Sequence, residues 1–163
     1  MMRPIVFQTI SKAFLIFMWM GVSSLAPADP VCVTSEKANL RKGPGVSFPV
    51  SWEVGQNMPL DRVGKKGGWV QVKDLDGETH WITSSSVSPK VNCLVVRTKM
   101  AALHQAAGAR APASDLAFAD RYTPFKKVDR EDAWIQVQDD HGAKFWINET
   151  NVWIPVMHSR VEF

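Results

Sequence analysis

The segment Trp69-Val70-Gln71-Val72-Lys73-Asp74 returns as Trp134-Ile135-Gln136-Val137-Gln138-Asp139, and the displacement of 65 residues holds onward. Gly77 falls on Gly142, Trp81-Ile82 on Trp146-Ile147, and Val87 on Val152. Upstream, Met58 to Val63 fall on Thr123 to Val128, so about thirty positions match without a gap. Self-similarity at a fixed period constrains architecture more than any local pattern, because each copy is one structural unit. Further upstream the displacement becomes 63 for Ala38, Leu40 and Gly45 against Ala101, Leu103 and Gly108, and 61 for Cys32 against Cys93. Two homologous units follow, near 31–88 and 92–156. The second is read as longer by about four residues, two near its first strand and two in the loop after it.

Within each unit the apolar periodicity is 2. Val70 and Val72 share one face with Val137 and Ile82 in the matching strands, which turns Trp69, Trp81, Trp134 and Trp146 to the other face. Asp74-Leu75-Asp76-Gly77 and Asp139-Asp140-His141-Gly142 are turn sequences, each closing a hairpin onto Thr79–Ile82 or Lys144–Ile147. The polar stretches 83–86 and 148–151 suit a single 3₁₀ turn before a last strand. Ten glycines, ten prolines and seven tryptophans in 163 residues favour short strands and turns over long helices, so the expected class is all-β. With 45% hydrophobic and 21% charged residues, the chain is neither wholly disordered nor a multi-span membrane protein.

The amino terminus reads as a signal peptide over residues 1–28. Arg3 and Lys12 precede an uncharged apolar run from Ala13 to Val22, about half the ~20 residues of a spanning helix, and Ala26-Pro27-Ala28 offers a cleavage site. An uncleaved anchor is the competing reading, because Pro27 is an unusual residue there. The expected divisions are 1–28 signal peptide, 29–89 first domain, 90–157 second and degenerate domain, and 158–163 tail. The expected location is periplasmic or secreted, with no stable membrane insertion after cleavage. Without its two basic residues the mature chain is nearly neutral and carries no basic stripe, so nucleic acid is excluded as a partner.

Ala38-Asn39-Leu40-Arg41-Lys42-Gly43-Pro44-Gly45, Pro49-Val50, Gly67-Gly68-Trp69-Val70-Gln71-Val72, Gly77 and His80-Trp81-Ile82-Thr83-Ser84-Ser85-Ser86-Val87 resemble, in order, the landmarks of a bacterial SH3 (SH3b) domain. The second unit keeps the Trp134 hairpin and Trp146 strand, but has His104-Gln105-Ala106-Ala107-Gly108 and an Ala-rich stretch through Ala119 in place of the Arg-x-Gly-Pro-Gly loop. The resemblance implies two tandem small SH3-like barrels of five or six strands, each with a shallow groove flanked by its long first loop and its hairpin loop. The groove residues would be Trp69, Trp81, Arg41, Gly43, Pro44 and Gly45, with Trp134 and Trp146 as their counterparts.

Each of these residues also has a structural reading. The four tryptophans either form a ligand platform, or cap the barrels or fill an interface between the units. Arg41 either meets an acidic ligand group or orders its own loop. Cys32 and Cys93, two thiols in an exported chain, either form a disulfide stapling the two barrels, the favoured reading, or remain buried and reduced. His80, His104, His141 and His158 show no metal-ligand spacing, and no Ser/His/Asp, Cys/His or paired-carboxylate set stands at useful spacing, so neither a metal, another cofactor nor an enzyme is expected. The expected function is non-catalytic recognition of cell-wall (peptidoglycan) peptide or glycan. The alternatives are a periplasmic protein–protein adaptor and an accessory to a separate cell-wall hydrolase.

Overall fold

The computed structural model describes residues 29–90 and 92–155. The signal-peptide segment and the tail at 158–163 lie outside the described residues.

The first unit contains β1 (Asp29–Val33), β2 (Lys37–Arg41), β3 (Val50–Gly55), β4 (Pro59–Lys66), β5 (Trp69–Lys73), β6 (Thr79–Thr83), a 3₁₀ turn at Ser84–Ser86, and β7 (Val87–Ser88). The second repeats the series as β8 (Cys93–Val96), β9 (Met100–His104), β10 (Ala113–Asp120), β11 (Pro124–Glu131), β12 (Trp134–Gln138), β13 (Lys144–Asn148), a 3₁₀ turn at Glu149–Asn151, and β14 (Val152–Trp153). Strand order is β3-β2-β6-β5-β4-β1-β7 in one antiparallel sheet and β10-β9-β13-β12-β11-β8-β14 in the other. The same wiring twice makes this an all-β protein of two tandem SH3-like domains. Each sheet has seven strands where the resemblance implies five or six; the last strands expected after the 3₁₀ turns are present as β7 and β14, of two residues each.

Alternation drives the strands. In β5, Val70 and Val72 are buried between partly exposed Trp69 and Gln71, and β12 repeats this with Ile135 and Val137. Leu40, Leu60, Val72 and Ile82 are fully buried in the first core, and Leu103, Phe125, Ile135 and Ile147 in the second. Burying each such side chain contributes about 1.5–3 kcal/mol. The repeat extends to backbone conformation. Gly77 and Gly142 both take positive φ, at 83° and 89°, as their hairpins require.

Register corrects the expected insertions. Val33 pairs with Val87 and Val96 with Val152, while Cys32 pairs with Pro59 and Val95 with Pro124. Cys32 is therefore equivalent to Val95, and Cys93 to Pro30; the displacement of 63 holds through the first strand. The β2–β3 and β9–β10 connections are equally long, since Arg41 pairs with Val50 and His104 with Ala113. The two extra residues lie inside β10, as an enlarged bulge between Ala113 and Phe118 where β3 has a single-residue bulge at Ser51. Gapless matching of two cysteines suggested a slip that the hydrogen-bonded register does not contain.

The two units meet along β8. Leu94 and Val96 enter the second core, whereas Val95, on the opposite face, packs into the core of the first, joined by Tyr122 and Trp153. Cys93 shares the Val95 face and is bonded to Cys32, with Cα atoms 6.0 Å apart. The expected bridge is thus present, between inequivalent positions of equivalent strands. Beside it, the Tyr122 ring stands edge-on to Trp52 at 5.1 Å, its hydroxyl donates to Asp76, and Arg121 donates to the same carboxylate. Tyr122 has φ 69° and occupies the position of Asn57, φ 64°. Asn tolerates that left-handed conformation, whereas for a bulky aromatic it costs about 1–3 kcal/mol, so the contacts across the joint hold Tyr122 there.

Tyr122→Asn relieves that strain and removes the aromatic contact. Both sheets are expected to persist, with amide exchange in β11–β13 unchanged, while residual dipolar couplings report a changed relative orientation of the units. Acid acts on the same joint. The Tyr122 hydrogen bond, with Arg121 beside it, holds the Asp76 carboxyl below its ordinary value of 3.8. Its contribution is complete above that value and is lost as pH falls through the lowered one. Tyr122→Phe should move the Asp76 midpoint, followed by carboxyl chemical shifts, upward toward the ordinary value.

Candidate functional site

On the outer face of the first sheet, cross-strand register sets Gln71 opposite Trp81 and Trp81 opposite Arg41, with Trp69 one diagonal step away, opposite Thr83. Diagonal neighbours on one face lie about 7–8 Å apart, within reach of large aromatic side chains. Trp69, Trp81 and Arg41 are all half-buried, so the face presents part of each indole to solvent. The tryptophans packed against the first core are instead Trp52 and Trp153, two residues the repeat did not single out. Trp52 lies in the bulged strand and Trp153 in the two-residue closing strand, where sequence alternation is weakest.

The loop from Arg41 to Val50 borders this face and is tightly made. The Arg41 guanidinium donates from Nη1 to the carbonyls of Val46 and Phe48, at 3.1 and 2.8 Å. Arg41 thus orders its own loop, through carbonyl acceptors rather than an ion pair. Gly43 is buried, Pro44 and Gly45 are half-buried, and the Phe48 ring lies so close to Gly43 that an added Cβ would stand 2.3 Å from it. Glycine at 43 is required by this close approach. Val46, Phe48 and Val50 remain exposed along the loop and into β3.

The second unit builds the same face from Trp134, Gln136, Trp146 and His104, in identical register. His104 occupies the position of Arg41 and its Nδ1 bonds the carbonyl of Ala111 at 2.9 Å. Its ring also stands edge-on to Trp134 at 5.1 Å. The degenerate loop therefore keeps both its span and a side-chain anchor, although the Arg-x-Gly-Pro-Gly residues are gone.

A second constellation lies at the β5–β6 hairpin, unmarked by the histidine spacing. Asp74 accepts the backbone N–H groups of Asp76 and Glu78 on Oδ1, at 3.0 and 2.8 Å, which shapes the turn. Its Oδ2 lies 3.1 Å from His80 Nε2, and His80 Nδ1 lies 2.9 Å from Ser51 Oγ. The fold thus aligns Ser51, His80 and Asp74, a set not visible as spacing because Ser51 arrives from another hairpin, on the β3 bulge. Glu78 Oε2 approaches His80 Nε2 to 4.0 Å, and these residues line a cleft of about 470 Å³ with Trp52, Asp76 and Tyr122. Ser51 Oγ also donates to the Leu40 carbonyl at 3.0 Å, as Ser114 does to Leu103 at 3.2 Å in the second unit, so this serine has a structural bond common to both units.

A family model described as bacterial SH3 domain matches the chain twice, at residues 34–89 and 97–153. No curated protein matches it. Among solved structures it is similar to NlpC1 from Trichomonas vaginalis, with 12% identity and a TM-score of 0.37, over 82% of this chain and 48% of that one. It is similar to NlpC2 from the same organism at 11% and 0.36, over 82% and 51%. An NlpC/P60 family protein from Bacillus cereus gives 12% and 0.36, over 78% and 57%. The chain spans about half the length of these proteins.

Gly43→Ala forces the Phe48 ring out of its seat. We expect a loss of about 1–3 kcal/mol in denaturant unfolding, as for other overpacked sites, and recovery of most of it in Gly43→Ala/Phe48→Ala.

Proposed function

Because the chain belongs to the bacterial SH3 domain family, we propose that it is an exported, non-catalytic module that binds cell-wall peptide or glycan on the outer face of its first unit. Bacterial SH3 domains generally bind cell-wall components and are typically non-catalytic. The observation that carries the proposal is the pairing of half-exposed Trp69 and Trp81 on one face beside a loop that Arg41 and Gly43 hold in one shape. Indoles supply broad apolar area with a hydrogen-bond donor at the edge, which suits sugar rings and short peptides. Preordering the loop lowers the entropy lost on binding. Arg41 contributes by shaping the loop, and Gly43, Pro44 and Gly45 by setting its path. Trp134 and Trp146 offer a second, weaker face.

Purified protein should co-sediment with peptidoglycan sacculi, and Trp69→Ala and Trp81→Ala should each release most of it into the supernatant while keeping the thermal transition of the parent. Trp134→Ala should have the smaller effect. A folded protein that stays soluble beside sacculi would overturn wall recognition. Capture of one periplasmic protein by crosslinking at the Trp69 face would then favour the adaptor reading.

A further inference from the structure

His80 stands between residues of two different hairpins. Ser51 Oγ lies 3.0 Å from the Leu40 carbonyl; in the second unit, where Phe145 stands in place of His80, Ser114 Oγ lies 3.2 Å from the Leu103 carbonyl and 2.6 Å from that of Leu116. His80 is held at both ring nitrogens, with Nε2 3.1 Å from Asp74 Oδ2 and Nδ1 2.9 Å from Ser51 Oγ. His80 and Asp74 are both more than nine-tenths buried, with 5% and 8% of their surface exposed. A ring nitrogen and a carboxylate oxygen are thus held side by side, bordering the cleft. Glu78 adds a third ligand atom, and the three lie within 4.8 Å of one another.

We infer that Asp74, Glu78 and His80 form a binding site for a divalent first-row transition cation, with Zn²⁺ the best suited. Zn²⁺ takes nitrogen and carboxylate oxygen at about 2.0–2.2 Å, so tetrahedral ligands stand about 3.3 Å apart, close to the present His80–Asp74 separation. Glu78 is exposed and needs only a small side-chain rotation to close the third edge. Ser51 supplies the outer-shell bond that ligating histidines generally make, fixing the ring orientation and tautomer. Three protein ligands leave a fourth position open to the cleft, for water or for an oxygen of a bound molecule. The turn itself does not require this set. In the second unit Asp139 accepts the N–H groups of His141 and Ala143 in the same way, while Ala143 and Phe145 replace Glu78 and His80. The ligand atoms are an addition to the hairpin, made in one unit and absent from the other.

Metal-stripped protein titrated with Zn²⁺ by calorimetry at neutral pH should bind one equivalent saturably and melt at a higher temperature with the metal, and Co²⁺ in its place should give visible absorption of a tetrahedral site. His80→Phe, which installs the second unit's residue, should weaken binding at least about tenfold. Glu78→Ala, at an exposed side chain that the fold does not need, should weaken it also, whereas His141→Ala should leave it unchanged. Absence of saturable Zn²⁺ binding would overturn the inference and leave the His80–Asp74 contact as a hydrogen bond of the hairpin. Saturable binding that survives both His80→Phe and Glu78→Ala would overturn it as well, by placing the metal elsewhere.

Discussion

Strand β8 is buried on both faces, and most of the molecule's organisation follows from that. One face completes the core of its own unit through Leu94 and Val96; the other sends Val95 into the neighbouring core and Cys93 to Cys32. A unit of about sixty residues sits near the lower limit for a self-sufficient core, and sharing apolar surface along one strand eases that limit for both. The magnitudes rank the contacts. Apolar side chains such as Val95 contribute about 1.5–3 kcal/mol when buried, and the disulfide about 2–4 kcal/mol, whereas the solvent-screened Arg121–Asp76 ion pair adds little beside them. The ion pair and the Tyr122 hydroxyl orient a joint that burial and a covalent bond hold.

The joint also decides which tryptophans are available. Trp52 and Trp153 are committed to packing at the first core, leaving Trp69 and Trp81 on the outer face of the same sheet. In the second unit Trp134 and Trp146 keep the equivalent places, with His104 anchoring the loop that Arg41 anchors in the first. Divergence between the units has thus changed the chemistry of the loop while preserving its geometry. Tyr122 shows the same logic in reverse: its backbone repeats the left-handed turn of Asn57, but its side chain has been recruited to a neighbour the other copy does not have.

The hairpin around His80 separates scaffold from addition. Asp74 and Asp139 shape equivalent turns with equivalent bonds, and Ser51 and Ser114 tie equivalent carbonyls. Only the first unit places an imidazole between them and a second carboxylate, Glu78, beside it. Duplication makes this visible, because the second copy demonstrates that neither feature is needed for the fold.

Class, repeat and strand facing were legible in the chain itself. A period of 2 around Val70, Val72, Ile135 and Val137 leaves one way to place apolar side chains, and the 65-residue displacement required two sheets of one topology. The outer position of Trp69 and Trp81 followed from the same periodicity. Sequence matching failed where pairing distance matters. It aligned Cys32 with Cys93, although register makes Cys32 the equivalent of Val95, and it assigned an insertion to a loop when the extra residues widen a bulge in β10. It also saw no cluster around His80, because Ser51 approaches from a strand 29 residues away. Alternation is a property of neighbours in the chain and can be read there, whereas the joint along β8, the choice of Trp52 and Trp153 as packing residues, and the Ser51–His80–Asp74 line depend on which strands the closed sheets bring together.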